Sequence, residues 1–442
     1  MKIMIQDSGF GIRAVLAIAL MLALAAPAWA ALDKEVGTFA LDTGSSTTTV
    51  STSFQGKAVL LWTDCKTAAG ESAGACFGVG FADGTNLVTI SGAGDDSAST
   101  TNVGRAMQTN NALRVFTDGA PTTMTGGQVT GVAFNSTPNM VLTMSGTPAA
   151  AVLVHYLLLG GDEVTNVYVG SIAMPTGGGT LNVTDPGFQG DFVLGLAANA
   201  GSGGTSVNIL CSFGAAAVVS GPTVHQWAFS GGVADGATAS AEVNGTSKLR
   251  DDAFTIGQNT NVTDNWVGSF TGFTASGFDI NFTDAPSAAH LLLYMDIQGG
   301  QWDVGTQAKP ATASTQTITG IPFTPTLLGY FLSSPTALDT YTSNNILTLG
   351  ATDGTNEAYA GSYHNDAINT VALTGNSNAA ISHELNSSAV GTFGGFGSGT
   401  ADIDWDAPGT AFYSAWFAGA SNAASAGACG ISGPGEGGMS CQ

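Results

Sequence analysis

V-G-T-F-A-L-D-T-G-S-S-T-T-T-V, residues 36–50, returns as V-G-S-I-A-M-P-T-G-G-G-T-L-N-V at 169–183 and as V-G-T-Q-A-K-P-A-T-A-S-T-Q-T-I at 304–318. The starting valines, Val36, Val169 and Val304, are 133 and 135 residues apart, which is the length of a whole domain. Each copy continues in the same order. An aromatic turn precedes an apolar strand: Phe54-Gln55-Gly56 before Ala58-Val59-Leu60-Leu61-Trp62, Phe188-Gln189-Gly190 before Phe192-Val193-Leu194, and Phe323-Thr324-Pro325 before Leu327-Leu328-Gly329-Tyr330. A hairpin-like segment follows, with a glycine at Gly80, Gly214 and Gly350. Copies one and three then carry Asp83-Gly84-Thr85-Asn86 and Asp353-Gly354-Thr355-Asn356, where copy two has Ala215-Ala216-Ala217. Each copy closes on a proline followed eight residues later by an aromatic: Pro148 and Tyr156, Pro286 and Tyr294, Pro408 and Trp416.

The local chemistry is β throughout. Thr, Val, Ser and aromatics fill the periodic stretches, and pairs such as Ile280/Phe282 and Ile403/Trp405 alternate with polar neighbours. The 62 glycines supply turns that need positive φ. Several short strands in each unit of about 130 residues predict an all-β chain of three tandem antiparallel β-sandwich, jelly-roll-like domains. The units are placed at 31–165, 166–301 and 302–420. A single continuous β-solenoid would need a much shorter period.

Residues 1–30 read as a signal peptide. Lys2 and Arg13 supply positive charge, residues 14–26 are apolar, and Pro27-Ala28-Trp29-Ala30 ends in a small-x-small cleavage pattern. No later segment approaches the apolar length of a membrane helix, so the chain is expected to be secreted, extracellular or at a cell surface. The formal net charge of −22 excludes nucleic acid as a partner, because phosphate contacts need Lys and Arg. Only 10% of residues are charged, against about 25% in ordinary globular chains. Ser, Thr, Asn and Gly are expected to cover the surface.

Five cysteines in an exported chain point to pairing. Cys65 and Cys76 flank one Gly/Ala-rich loop, and Cys429 and Cys441 flank another in the Ala/Gly/Ser-rich tail, 421–442. Cys211 is left on an apolar strand as a buried free thiol. No C-x-x-C or H-x-x-x-H supports a zinc site. No cofactor is expected; the residues with a claim on calcium are Asp83 and Asp353 in the D-G-T-N turns and Asp402, Asp404 and Asp406. Asp-Gly is first a turn signal, and the last three read equally as a solvated strand face opposite Ile403 and Trp405. His155 and His290 stand at different positions relative to the aligned tyrosines, which fits core histidines rather than a repeated site.

Phe39-Ala40-Leu41-Asp42-Thr43-Gly44-Ser45-Ser46 resembles the active-site stretch of pepsin-like aspartic proteases, whose chemistry needs two carboxylates sharing a proton. The only other D-S-G or D-T-G, Asp7-Ser8-Gly9, lies in the signal segment, and Asp42 aligns with Pro175 and Pro310. Asp42 therefore reads as a loop residue, and no enzyme is expected. No G-x-S-x-G elbow or phosphate-binding loop occurs.

The closing segments, such as Gly277-Phe278-Asp279-Ile280-Asn281-Phe282 through Tyr294 to Gly299-Gly300, resemble the final strands of sandwiches in phage tail proteins and H-type lectins. The tandem modules are also similar to those of environmental bacterial surface proteins. The resemblance implies display and adhesion, often by homo-oligomers. The expected function is that of an exported, non-enzymatic structural or adhesive protein on a cell surface or virion, with cell-surface glycans or self-association as partners. A lectin-like, carbohydrate-binding array is the alternative, and a secreted hydrolase a remote one.

Overall fold

The computed structural model describes residues 31–94, 103–117, 122–199, 204–220, 223–233, 245–259, 262–364, 372–385, 387 and 389–422. The signal segment, Cys429, Cys441 and nearly all of the tail lie outside them. The described chain is all-β, with every strand pairing antiparallel. Three seven-stranded sheets alternate with three four-stranded ones. The first large sheet runs Asp33–Ala40, Leu153–Gly160, Gly56–Thr63, Ala75–Ala82, Leu87–Gly94, Val103–Gln108, and the first small sheet runs Thr47–Ser51, Asn139–Met144, Thr123–Asn135, Leu113–Phe116. The first strand of the copy thus lies beside its last, and the second beside its last but one, a jelly-roll-like nesting. The other two copies repeat this order.

The recurring residues have a packing reason. The glycine of each V-G pair faces an aromatic across the ladder: Gly37 pairs with Tyr156, Gly170 with Tyr294 and Gly305 with Trp416. A Cβ on any of the three would fall 2.5–2.7 Å from that ring or its hydroxyl, so the missing side chain makes room for the aromatic. Gly80, Gly214 and Gly350 have a harder constraint. Their missing Cβ atoms would stand 2.1, 1.8 and 1.8 Å from the carbonyl oxygens of Ala112, Phe254 and Ile381, where the small sheet's edge meets the large one.

Each sheet pair has its own sandwich core. Val59, Leu61, Met140, Leu142 and Leu158 belong to the first; Val193, Phe270, Phe278 and Ile280 to the second; and Leu328, Tyr330, Ile403 and Trp405 to the third. The large sheets also bury their opposite faces, and there all three copies contribute to one core. Phe77 of the first copy lies 6.3 Å from Phe213 of the second, which lies 5.3 Å from Phe331 of the third. Phe192 stacks on Trp302 at 4.5 Å, with Phe417 at 5.4 Å.

The seventh strand of each large sheet comes from another copy. Gly204–Val207 pairs with Val103–Gln108, Thr342–Ser343 with Thr246–Arg250, and Gly70–Ala73 with Ala372–Ser377. The second copy therefore donates to the first, the third to the second, and the first to the third, which closes a ring. After each donated strand the chain turns back into its own sheet through one residue with positive φ: Gly74 (83°), Asn208 (66°) and Asn344 (72°). Glycine and asparagine are the residues that tolerate this conformation at least cost. Leu32–Asn422 is accordingly one compact unit, with a shared core beneath the three sandwiches.

Candidate functional site

Chemistry-bearing side chains gather at the three seams between copies. At the seam of copies one and two, Asp83 caps its own D-G-T-N turn, its Oδ1 accepting the N–H of Thr85 (2.8 Å) and of Asn86 (2.6 Å). Its Oδ2 accepts the backbone N–H of Val169, the signature valine of the next copy, at 2.9 Å. Arg105, buried and lowered by that burial to a pKa of about 10, donates to the carbonyls of Asn199 and Asn208 beside the donated strand.

The seam of copies three and one repeats the device. Asp353 accepts from Thr355 (2.8 Å), Asn356 (2.7 Å) and, at 2.9 Å, from Val36. This is the seam that joins the two ends of the described chain, and it carries an extra bond. Cys65 and Cys76 form a disulfide around the loop that holds the donated Gly70–Ala73 strand. Asn376 donates to the buried Asp64 at 2.6 Å, and Thr374 to the Asp64 carbonyl at 3.0 Å. Closing an 11-residue separation removes freedom from the unfolded arm, worth about 2–4 kcal/mol. Replacing Cys65 and Cys76 together with serine is expected to lower the urea midpoint and to raise hydrogen exchange first in 70–73 and 372–377. Unchanged exchange there would mean that the arm holds without its bond.

The seam of copies two and three is built differently. Ala217 occupies the position of Asp83 and Asp353, and the hairpin runs on through Ile209–Ser220 and Thr223–Val233. The signature valine, Val304, takes its bond from the preceding residue instead: Asp303 Oδ1 accepts Val304 N–H at 2.8 Å. The same oxygen meets His225 Nδ1 at 2.6 Å. Asp303 is 1% exposed at its side chain and His225 40%. Burial pushes the Asp303 pKa up, and the bond from His225 opposes that rise. An ion-pair network adds to the seam. Lys248 reaches Asp264 (3.0 Å) and Asp339 (2.8 Å), and Arg250 reaches Asp339 (2.8 Å).

Around His225 and Asp303 lies a cleft of about 370 Å³, lined also by Asp251, Thr306, Thr319 and Trp416. Asp303, as a carboxylate, can only accept, so the shared proton sits on His225 Nδ1 and Nε2 is left unengaged by this bond. The position before the signature valine is Glu35 in copy one, where it accepts from Tyr156 Oη at 2.6 Å, and Tyr168 in copy two, its ring 6.1 Å from Tyr294. Asp303 turns instead to His225, and Trp416 Nε1 has no hydrogen-bond partner among the described residues.

The residues singled out in the sequence fall elsewhere. The Asp83 and Asp353 carboxylates are occupied by N–H donors. On Thr400–Trp405, Asp402 and Asp404 share one face, with Thr315 donating to Asp404 at 2.6 Å; Asp406, beyond the strand, accepts from Val390 at 2.8 Å. No group of three His, Cys, Asp or Glu that could hold a metal occurs among the described residues. Asp42 sits in an exposed turn, accepting from Gly44 at 2.8 Å. His155 is buried against Thr38 Oγ1 (2.7 Å), its pKa lowered to about 3 by burial, and His290 is also buried. Cys211 is a buried free thiol whose pKa burial pushes up to about 12. No helix is long and apolar enough to cross a membrane among the described residues.

No family model matches the chain, and no curated protein sequence matches it. Among solved structures, domains LG4-5 of the mouse laminin alpha1 chain align at 8% identity and a TM-score of 0.10, covering 61% of this chain and 92% of that one. A likeness so low carries no argument about fold or function.

Proposed function

We propose that the chain is an exported, non-enzymatic structural or adhesive protein, displayed on a cell surface or virion as a single rigid block. The observation that supports this reading is the closed exchange of strands over a shared core, which ties three sandwiches into one body. Each small sheet offers a polar edge row to solvent: Thr47, Thr49 and Ser51; Thr180 and Asn182; Thr315, Thr317 and Thr319. Three similar faces held in fixed relation raise avidity without any strong single contact. Immunogold labelling of intact producing cells and of particles in their medium tests the placement. Label on either surface is the expected result, and label confined to the cytosol overturns it. Release of reducing sugar from polysaccharides, or of peptides from protein substrates, by the purified chain would overturn the non-enzymatic reading.

A further inference from the structure

The three seams serve as controls for one another. Two are filled by a D-G-T-N turn whose aspartate holds the neighbour's valine; the third has lost the turn, kept the valine's bond through Asp303, and has a cleft at that place. We propose that this cleft, between copies two and three, binds a neutral polyhydroxylated ligand, a mono- or oligosaccharide.

The chemistry of the lining selects that class. Its charged residues are Asp251 and Asp303, with no Lys or Arg among the lining residues, so an anion would meet repulsion and no counter-charge. His225, Asp251, Thr306 and Thr319 make it a polar surface, unsuited to an apolar guest. What it presents is a mixture. His225 Nε2 accepts when the ring is neutral and donates when it is protonated, the Thr306 and Thr319 hydroxyls do both, and Asp251 accepts.

Trp416 forms a wall of the cleft: the residue is 5% exposed, and its Nε1, without a partner among the described residues, is buried behind that wall. Its ring lies over Gly305, which also lines the cleft: a Cβ there would stand 2.6 Å from Cζ2 and 2.9 Å from Cε2, the atom bonded to Nε1. Sugar hydroxyls donate and accept at once and can satisfy such a mixed set. The buried Asp303 fixes the imidazole before any ligand arrives, which lowers the ordering cost of binding. Tyr294 Oη in copy two is also without a partner, but there Tyr168, not a histidine–aspartate pair, stands beside it.

The site requires only the folded chain, so its test is independent of where the protein is displayed. The purified wild-type chain is applied to a printed array of mono- and oligosaccharides, and the retained sugars are measured by titration calorimetry and saturation-transfer NMR. Binding is expected, with His225→Ala and Thr306→Val each weakening it about tenfold or more. Thermal melts establish that each variant is folded. Should His225→Ala open the seam, Thr306→Val and Asp251→Asn, which carry no seam bond, decide the matter. Silence of the wild type across the array and at millimolar sugar by NMR overturns the proposal. So does binding that the folded cleft variants leave unchanged.

Discussion

Replacing Phe331 with alanine is expected to destabilise the whole described body at once, by about 3–5 kcal/mol. Phe331 is 2% exposed, and its nearest rings belong to another copy: Phe229 at 4.8 Å, Phe213 at 5.3 Å and Trp227 at 5.7 Å. The cavity left by the ring would open in the core common to the three large sheets, where no single sandwich can collapse to fill it. Scanning calorimetry should therefore show one transition moved intact to lower temperature. Three independent sandwiches would behave otherwise, with about a third of the unfolding enthalpy moving and the rest staying in place. A split transition would show that the shared core does not couple the copies.

The opposite effect is expected at Asp296, where leucine should stabilise the chain. Asp296 is fully buried on the side of its strand that also carries Leu292 and Tyr294, and its carboxyl meets no donor beyond the adjacent Ile297 backbone N–H. Burial raises its pKa from 3.8 to about 8, against the Ile297 backbone N–H and with a further push from Asp191. Copy one has Leu158 at the same place, packed over Gly56 as Asp296 is packed over Gly190, so the site already accommodates leucine in this fold. Exchanging a buried unpaired acid for a well-packed apolar side chain is worth about 1–4 kcal/mol.

The pH dependence identifies the cause. Between about pH 4 and 8 the unfolded chain has released a proton that folded Asp296 retains, so stability falls as pH rises, by about 1.4 kcal/mol per unit. Asp64, raised to about 6 by burial, contributes the same sign only up to that pH. His155 and His364, lowered to about 3 and about 4 by burial, act the other way below their ordinary value of 6.5. Above about pH 7.5, where an ordinary histidine has lost its proton, the decline belongs to Asp296 among these groups. Urea unfolding from about pH 5 to 8 should show a stability slope more downward in the wild type than in Asp296→Leu, the difference being that of one proton. A variant that keeps the wild-type slope would refute the assignment.

The three-fold repetition and the β character were legible in the signature at Val36, Val169 and Val304. The shared core was also written in the sequence, less plainly. Ala58-Val59-Leu60-Leu61-Trp62 and Leu291-Leu292-Leu293-Tyr294-Met295 are continuous apolar runs, which suit strands buried on both faces, whereas a lone sandwich alternates. The donated strand was not readable. Gly70–Ala73 is G-E-S-A, with no strand propensity and all four residues exposed, and it is extended because a neighbouring edge offers it a ladder. The D-G-T-N aspartates stood out as turn formers and cation candidates. Their partners did not, because Val169 and Val36 are held by backbone N–H groups that leave no mark on residue type. His225 belongs to no motif. Two departures pointed to it: the hairpin that lengthens where D-G-T-N is missing, and the aspartate that replaces Glu35 and Tyr168 before the signature valine.

The ring also imposes an order of events on a chain made from its N-terminus. Gly70–Ala73 is among the first strands to be synthesised, and the edge that receives it, Ala372–Ser377, is among the last. Through most of synthesis the early arm has no mate, while the third large sheet's receiving edge does not yet exist. An unpaired strand of this kind is open to capture by other chains. The Cys65–Cys76 bond, once formed, encloses the arm in a short loop, and its glutamate places a charge on it, and both make the arm a poor template for other chains.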